Sequence, residues 1–170
     1  LSSIHFSLSN TSGETVVLKG ITVKGVYNSG TFNENIDEDI DDDGTIDYDN
    51  YVVDTETVQG NVDPEWTTNT SSTADYVAFS TTDGQGVTFP SSPQYITNLL
   101  LEASNTGNNH ALIVLPQTIP TEAELVVEYT VNNAPASKTV KLITATNKDD
   151  SSHFINTWEI GTRYTYRLVY

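Results

Sequence analysis

The sequence predicts an all-β fold, a two-sheet β-sandwich of seven to eight strands with little helix. Three observations carry this. Apolar residues recur at every second position in several short segments, which is the side-chain period of a strand. Those segments are separated by clusters of Gly, Asn, Pro and Ser, the residues that build turns. The composition is polar and strand-favouring: of 170 residues, 40 are Ser or Thr, 15 are Asn and nine are Tyr, and no long window carries the apolar stripe of an amphipathic helix.

Taken in order, Ile4, Phe6 and Leu8 alternate with His5, Ser7 and Ser9. Thr15 to Tyr27 is a long extended stretch in which Gly20 and Gly25 read as breaks. Tyr76 to Phe79 and Val87 to Phe89 are short strands. Ala111 to Leu115 is a continuous apolar run that stops at Pro116, which cannot donate to a ladder. Leu125, Val127, Tyr129 and Val131 alternate with Val126, Glu128 and Thr130, and Asn132-Asn133-Ala134-Pro135 reads as a hairpin connection to a strand containing Val140 and Leu142. Tyr164, Tyr166, Leu168 and Tyr170 alternate with Arg163, Thr165, Arg167 and Val169. Asn98 to Ala103 and Phe154 to Trp158 are places for single helical turns. Neither a repeat nor a linker divides the chain, so residues 1–170 read as one domain, with an acidic loop insertion at about 33–63.

Charge narrows the functions. Seven Lys and Arg stand against 23 Asp and Glu, a net charge of −16. So few cations argue against nucleic acid, whose phosphates must be neutralised, and against anionic membrane surfaces. The absence of Cys excludes a disulfide scaffold, a Cys zinc site and a thiol nucleophile. No apolar run approaches the ~20 residues of a membrane span. The chain begins Leu1-Ser2-Ser3-Ile4 and not with Met, so a mature product or a part of a longer chain is expected.

Residues 37–54 are half acidic and supply −9 of the charge. Within them Asp39-x-Asp41-x-Asp43-Gly44 matches the first half of an EF-hand-type calcium loop. Ca²⁺ takes six to eight oxygen ligands: carboxylates at the first, third and fifth positions, a backbone carbonyl at the seventh, and a further ligand at the ninth. Here these are Asp39, Asp41, Asp43, Thr45 and Asp47. The twelfth position, ordinarily a bidentate Glu, is Asn50, which removes a strong ligand. The loop resembles dockerin-like and thrombospondin-type acidic loops as much as an EF-hand. The competing reading is a solvated acidic loop, but seven carboxylates between Asp37 and Asp47 repel one another and favour a cation.

Catalytic signals are absent. His5, His110 and His153 have no sequence neighbours suggesting a metal pair or a relay, and no Gly-x-Ser-x-Gly elbow occurs. Gly84-Gln85-Gly86 reads as a turn. Pairs of Asp and Glu could hydrolyse glycosides, but sequence cannot set two across a cleft. Trp66 and Trp158 could stack on sugars, although buried sandwich tryptophans are commoner.

Several segments, in order, resemble a known family: Leu1 to Leu8, Val16 to Tyr27, Gly30-Thr31-Phe32, the isolated Trp66, Leu112 to Thr118 with its Pro-Gln-Thr, Leu125 to Thr130, and the ending Trp158-Glu159-Ile160-Gly161-Thr162-Arg163-Tyr164-Thr165-Tyr166. This order resembles the second domain of the Bacteroidetes fimbrillin-like proteins, subunits of pili and surface adhesins. The likeness covers the chain except the acidic insertion. It implies a transthyretin-like sandwich, export by a lipoprotein signal, placement at the cell surface and outer membrane as part of a fimbrium, and a preceding N-terminal domain. It also implies assembly with other fimbrial subunits by strand addition, in which an incoming segment satisfies an unpaired strand edge. For Tyr164 to Tyr170 an internal strand of the sandwich is the favoured reading over a donated one.

The expected function is therefore a non-catalytic structural or adhesive surface subunit. The alternative is a carbohydrate-binding module that meets a host or bacterial surface glycan or protein through Trp, Tyr and Asn in loops, with a glycoside-active enzyme ranked below both. Fold alone does not separate them.

Overall fold

The structure is a computed structural model and describes residues 1–33, 65–81, 86–96, 111–147 and 150–170. The calcium-loop candidates Asp39, Asp41, Asp43, Thr45, Asp47 and Asn50, the helical turn expected at Asn98 to Ala103, and His110 lie outside the described residues.

The chain is all-β. Its strands in order are β1 (Ser2–Ser9), β2 (Val16–Tyr27), β3 (Gly30–Asn33), β4 (Glu65–Thr68), β5 (Thr73–Ser80), β6 (Val87–Thr88), β7 (Gln94–Tyr95), β8 (Leu112–Val114), β9 (Gln117–Thr118), β10 (Glu124–Val131), β11 (Ala134–Lys141), β12 (Thr157–Trp158) and β13 (Arg163–Val169). The described residues hold thirteen strands against the seven to eight expected, and most of the additions are pieces of two to four residues, too short to show a period. The only helix among the described residues is a 3₁₀ turn at Leu142–Thr144, so β11 ends at Lys141 and Leu142, expected in the strand, opens the turn. The turn expected at Phe154 to Trp158 is instead extended: Phe154 bridges Thr146, and β12 pairs with β9.

Two compact units are present. Gly30–Thr67 forms one, with β3 paired to β4 and Phe32 against Trp66 at a ring separation of 6.2 Å. The Trp66 indole nitrogen is buried and has no hydrogen-bond partner among the described residues.

The other unit, Leu1–Ser29 with Thr68–Tyr170, is a sandwich. One sheet has β1 at its centre, flanked by β13 on one side and by β7 and β8 end to end on the other. The second sheet runs β11-β10-β2-β5, with β6 continuing alongside β2. Ile4, Phe6 and Leu8 of the first sheet and Leu18, Ile21, Val23, Leu125 and Val127 of the second belong to one buried cluster. Each large side chain so enclosed contributes roughly 1.5–3 kcal/mol of apolar transfer.

The glycines in β2 do not break the strand. The register with β10 shifts near Gly20, and the register with β5 shifts again around Gly25, which has φ +68°. Each shift inserts a residue, so the buried positions step from Val16 and Leu18 to Ile21 and Val23 and then to Val26. Without these bulges a strict two-residue period from Val16 and Leu18 would turn Ile21 and Val23 to the wrong face.

The chain ends are joined. β1 and β13 pair in parallel from Ser3 opposite Arg163 to Ser9 opposite Val169. The expected hairpin is present between β10 and β11, with Asn132 at φ +49° and Asn133 at φ +70°, the two consecutive left-handed residues that a tight hairpin turn takes. The Pro-Gln-Thr and Trp-x-x-Gly-x-x-Tyr-x-Tyr segments supply the polar anchors. The buried Gln117 amide accepts from the Tyr27 N–H at 2.8 Å and donates to the carbonyls of Tyr27 and Leu115, both at 3.1 Å. Gly161 turns at φ +69°, which lets the Tyr164 hydroxyl accept from the Glu159 N–H at 2.8 Å.

Candidate functional site

The two sheets differ in width. Among the described residues the β1 sheet is three strands across, ending at β13, whereas the β2 sheet is four across, ending at β11. Among the described residues β13 pairs with β1 alone, so its other edge has no strand against it. Such an edge presents a row of backbone N–H and C=O groups to solvent.

Opposite that edge lies the inward face of β11. Cross-strand neighbours share a face. Val140 is opposite the buried Leu125, and Lys138 is opposite the buried Val127, so both point to the core side of the sheet. Among the described residues no strand of the narrower sheet covers them, and Val140 remains 40 % exposed. The result is a groove of about 340 Å³ between β13 and the β10–β11 hairpin, with Val127, Tyr129, Val140, Leu168 and Tyr170 as its apolar walls and Lys138 and Arg167 beside them. Tyr129 and Tyr170 meet edge-on at 5.8 Å and close one end. Glu14 accepts the Tyr170 hydroxyl at 3.2 Å, and burial, then this contact, raises the phenol's pKa.

A wider, more polar depression of about 820 Å³ lies along the same strand, lined by Thr144, Thr146, Ser151 and Ile155 together with Arg163 and Arg167. Together the two hollows flank β13 from Arg163 to Tyr170.

Lys141 forms ion pairs with Glu122 at 2.8 Å and Glu124 at 3.1 Å. Among the described residues no carboxylate lies within 4.0 Å of Lys138, Arg163 or Arg167.

The histidines do not build a reactive centre among the described residues. His5 sits on the outward face of β1 opposite Thr165, and burial, then the Arg163 charge, lower its pKa. His153 lies in an exposed turn with its Nδ1 2.5 Å from Asp150, whose carboxyl is held low mainly by hydrogen bonds from Ser152. The Ser152 hydroxyl lies 3.4 Å from that same Nδ1, so serine and aspartate share one ring nitrogen and the relay order of a hydrolytic triad is not made. Trp158, considered for sugar stacking, is wholly enclosed and donates to Tyr166. Among the described residues no group of three His, Asp or Glu is placed to hold a metal ion, and no helix is long and apolar enough to cross a membrane.

The chain was compared with protein-family models, curated proteins and solved structures, and it matches none of them.

The sequence reading missed this groove. The one signal for it was Lys138 on the same face of β11 as Ala136 and Val140, and that becomes legible only once the pairing with β10 is known.

Proposed function

We propose that the protein is a non-catalytic cell-surface subunit, structural or adhesive and fimbrillin-like, that joins other subunits of a fimbrium by accepting an extended strand. The single observation behind this reading is the sheet mismatch. Among the described residues β13 is an edge with no strand against it, and it faces an apolar shelf on β11 that the described strands of the narrower sheet do not reach. An incoming strand would satisfy the backbone groups of β13 and cover Val140 and Leu168 with its alternate side chains. The order of sequence anchors resembling fimbrillin-like second domains, with the transthyretin-like sandwich it implies, supports the same reading. A position exported to the outer surface of the cell follows from it.

The absence of Cys provides the test. A Val140→Cys variant of the full chain, displayed on the cells that produce it and treated with a short reagent that couples a thiol to an amine, should form a covalent adduct between the introduced thiol and an amine of a neighbouring subunit. An outward control, Thr139→Cys, should not. Equal adduct from both, or none from either, would remove strand acceptance at this edge.

A separate proposal rests on sequence spacing alone: Asp39, Asp41, Asp43, Thr45 and Asp47, with Asn50 at the twelfth place, bind Ca²⁺.

A further inference from the structure

We propose that the groove along β13 selects its strand by charge, accepting an extended peptide segment that places an Asp or Glu against Lys138 and an aliphatic side chain against Val140 and Leu168. This rests on the strand-acceptance reading and specifies its partner.

The argument starts from where Lys138 stands. It occupies the inward face of an edge strand, between Ala136 and Val140, and lines an otherwise apolar wall. An inward-pointing charge at a sheet edge discourages indiscriminate pairing, because an apolar segment laid over it would bury an ammonium group with no partner. A segment with a lysine or arginine there would add repulsion. One with a carboxylate turns the same group into a charge-assisted contact. Lys138 thus rejects most strands and admits one kind.

Arg167 strengthens this selection. It borders both hollows along β13 and has no carboxylate partner among the described residues, nor does Lys138. In a chain with 23 acidic residues against seven basic ones, two uncompensated cations beside one groove are an exception to the overall field. That local positive potential orients an acidic segment on approach and disfavours a basic one.

The spacing sets a pattern. Lys138 and Val140 are two residues apart on one face. Strand residues two apart are ~6.6 Å apart, so a facing strand meets them with residues i and i+2. The recognised segment therefore reads acidic-x-aliphatic, or the reverse if its direction is opposite, within a stretch about as long as β13, which has seven residues.

The test uses the full chain and three fluorescein-labelled nine-residue peptides of Thr and Val alternation: one with Glu at the central groove-facing position, one with Lys and one with Thr. Binding is read by fluorescence anisotropy. The Glu peptide should bind at least tenfold more tightly than the Lys peptide and weaken with added salt. Lys138→Glu should reverse that order, and Lys138→Ala should cut the discrimination to the smaller share that Arg167 supplies while retaining binding; circular dichroism confirms that each variant is folded. Equal affinity for all three peptides in the wild type would leave strand acceptance standing and overturn charge selection. Binding of no peptide would overturn both. A Lys138-dependent dimer of the chain in sedimentation, with no peptide bound, would put a second copy in the groove and overturn the peptide assignment.

Discussion

Trp158 donates its indole N–H to the Tyr166 hydroxyl at 3.1 Å across the turn that carries Gly161. The Trp is wholly enclosed, and the Tyr ring lies 6.1 Å from Phe6, centroid to centroid. The contact therefore fixes the edge strand β13 to the core beneath β1. It requires both partners: a buried indole N–H without an acceptor carries the full cost of leaving water.

Replacing Tyr166 with Phe keeps the ring and removes the acceptor. Stability should fall by about 1–3 kcal/mol, the cost of an orphaned buried donor. Urea unfolding of the two proteins measures this, and an unchanged midpoint would show that the Trp158 N–H finds another acceptor.

The same tyrosine sets an alkaline limit. Burial pushes the Tyr166 pKa from 10.0 up to about 12, outweighing the opposing hydrogen bond from Trp158. The unfolded phenol loses its proton first as pH rises, so the folded state binds more protons over this window and stability falls with pH. The contribution is complete below pH 10 and is lost as pH climbs through 12. About 1.4 kcal/mol per pKa unit makes this a drop of roughly 3 kcal/mol. Stability measured at pH 9.5 and 11.5 should fall more steeply in the wild type than in Tyr166→Phe.

Gln117 ties the end of β2 to the segment before β9 through three hydrogen bonds to backbone. Gln117→Leu fills similar space but satisfies none of them. It should cost about 2–4 kcal/mol, since buried backbone groups of Tyr27 lose their partner. Hydrogen exchange at the Tyr27 amide should accelerate more than at Leu18. Equal acceleration at both would point to global loosening.

The two hairpin asparagines share a backbone need but not a role. Both have positive φ, which Gly adopts without strain. Asn132 also accepts the Thr15 N–H at 3.1 Å through its side chain. Asn133→Gly should therefore change stability by less than ~0.5 kcal/mol, whereas Asn132→Gly should lose about 1 kcal/mol with that hydrogen bond. Thermal unfolding of both variants decides it; equal effects would remove the assigned role of the Asn132 side chain.

Calcium should raise the melting temperature if the acidic loop holds it, because binding to the native state alone stabilises by about 2.7 kcal/mol at a hundredfold excess over Kd. The rise should vanish in Asp41→Ala. No shift at millimolar Ca²⁺ would withdraw the site.

The alternation of Ile4, Phe6 and Leu8, and of Leu125, Val127 and Tyr129, was legible because side-chain direction in a strand depends on parity alone. The Asn132-Asn133 hairpin was legible because its backbone conformation selects few residue types. The β2 bulges were not: Gly20 and Gly25 read as breaks, and only the pairing with β10 and β5 turns them into insertions that keep Ile21 and Val26 inside. The short strands β7, β9 and β12 left no signal, because two residues carry no period.

The sequence by itself determined which side chains turn inward in the regularly alternating strands β1, β10 and β13, where β10 folds back into β11, and that few cations face many acids. The tertiary structure decided which strands are neighbours. Ser3 meets Arg163 across 160 positions of sequence, and one sheet stops a strand short of the other. Parity assigns a residue to a face but carries no information about what lies across from that face. That is settled by the total burial and hydrogen bonding of the whole assembly, and it leaves Lys138 and Val140 facing an uncovered groove.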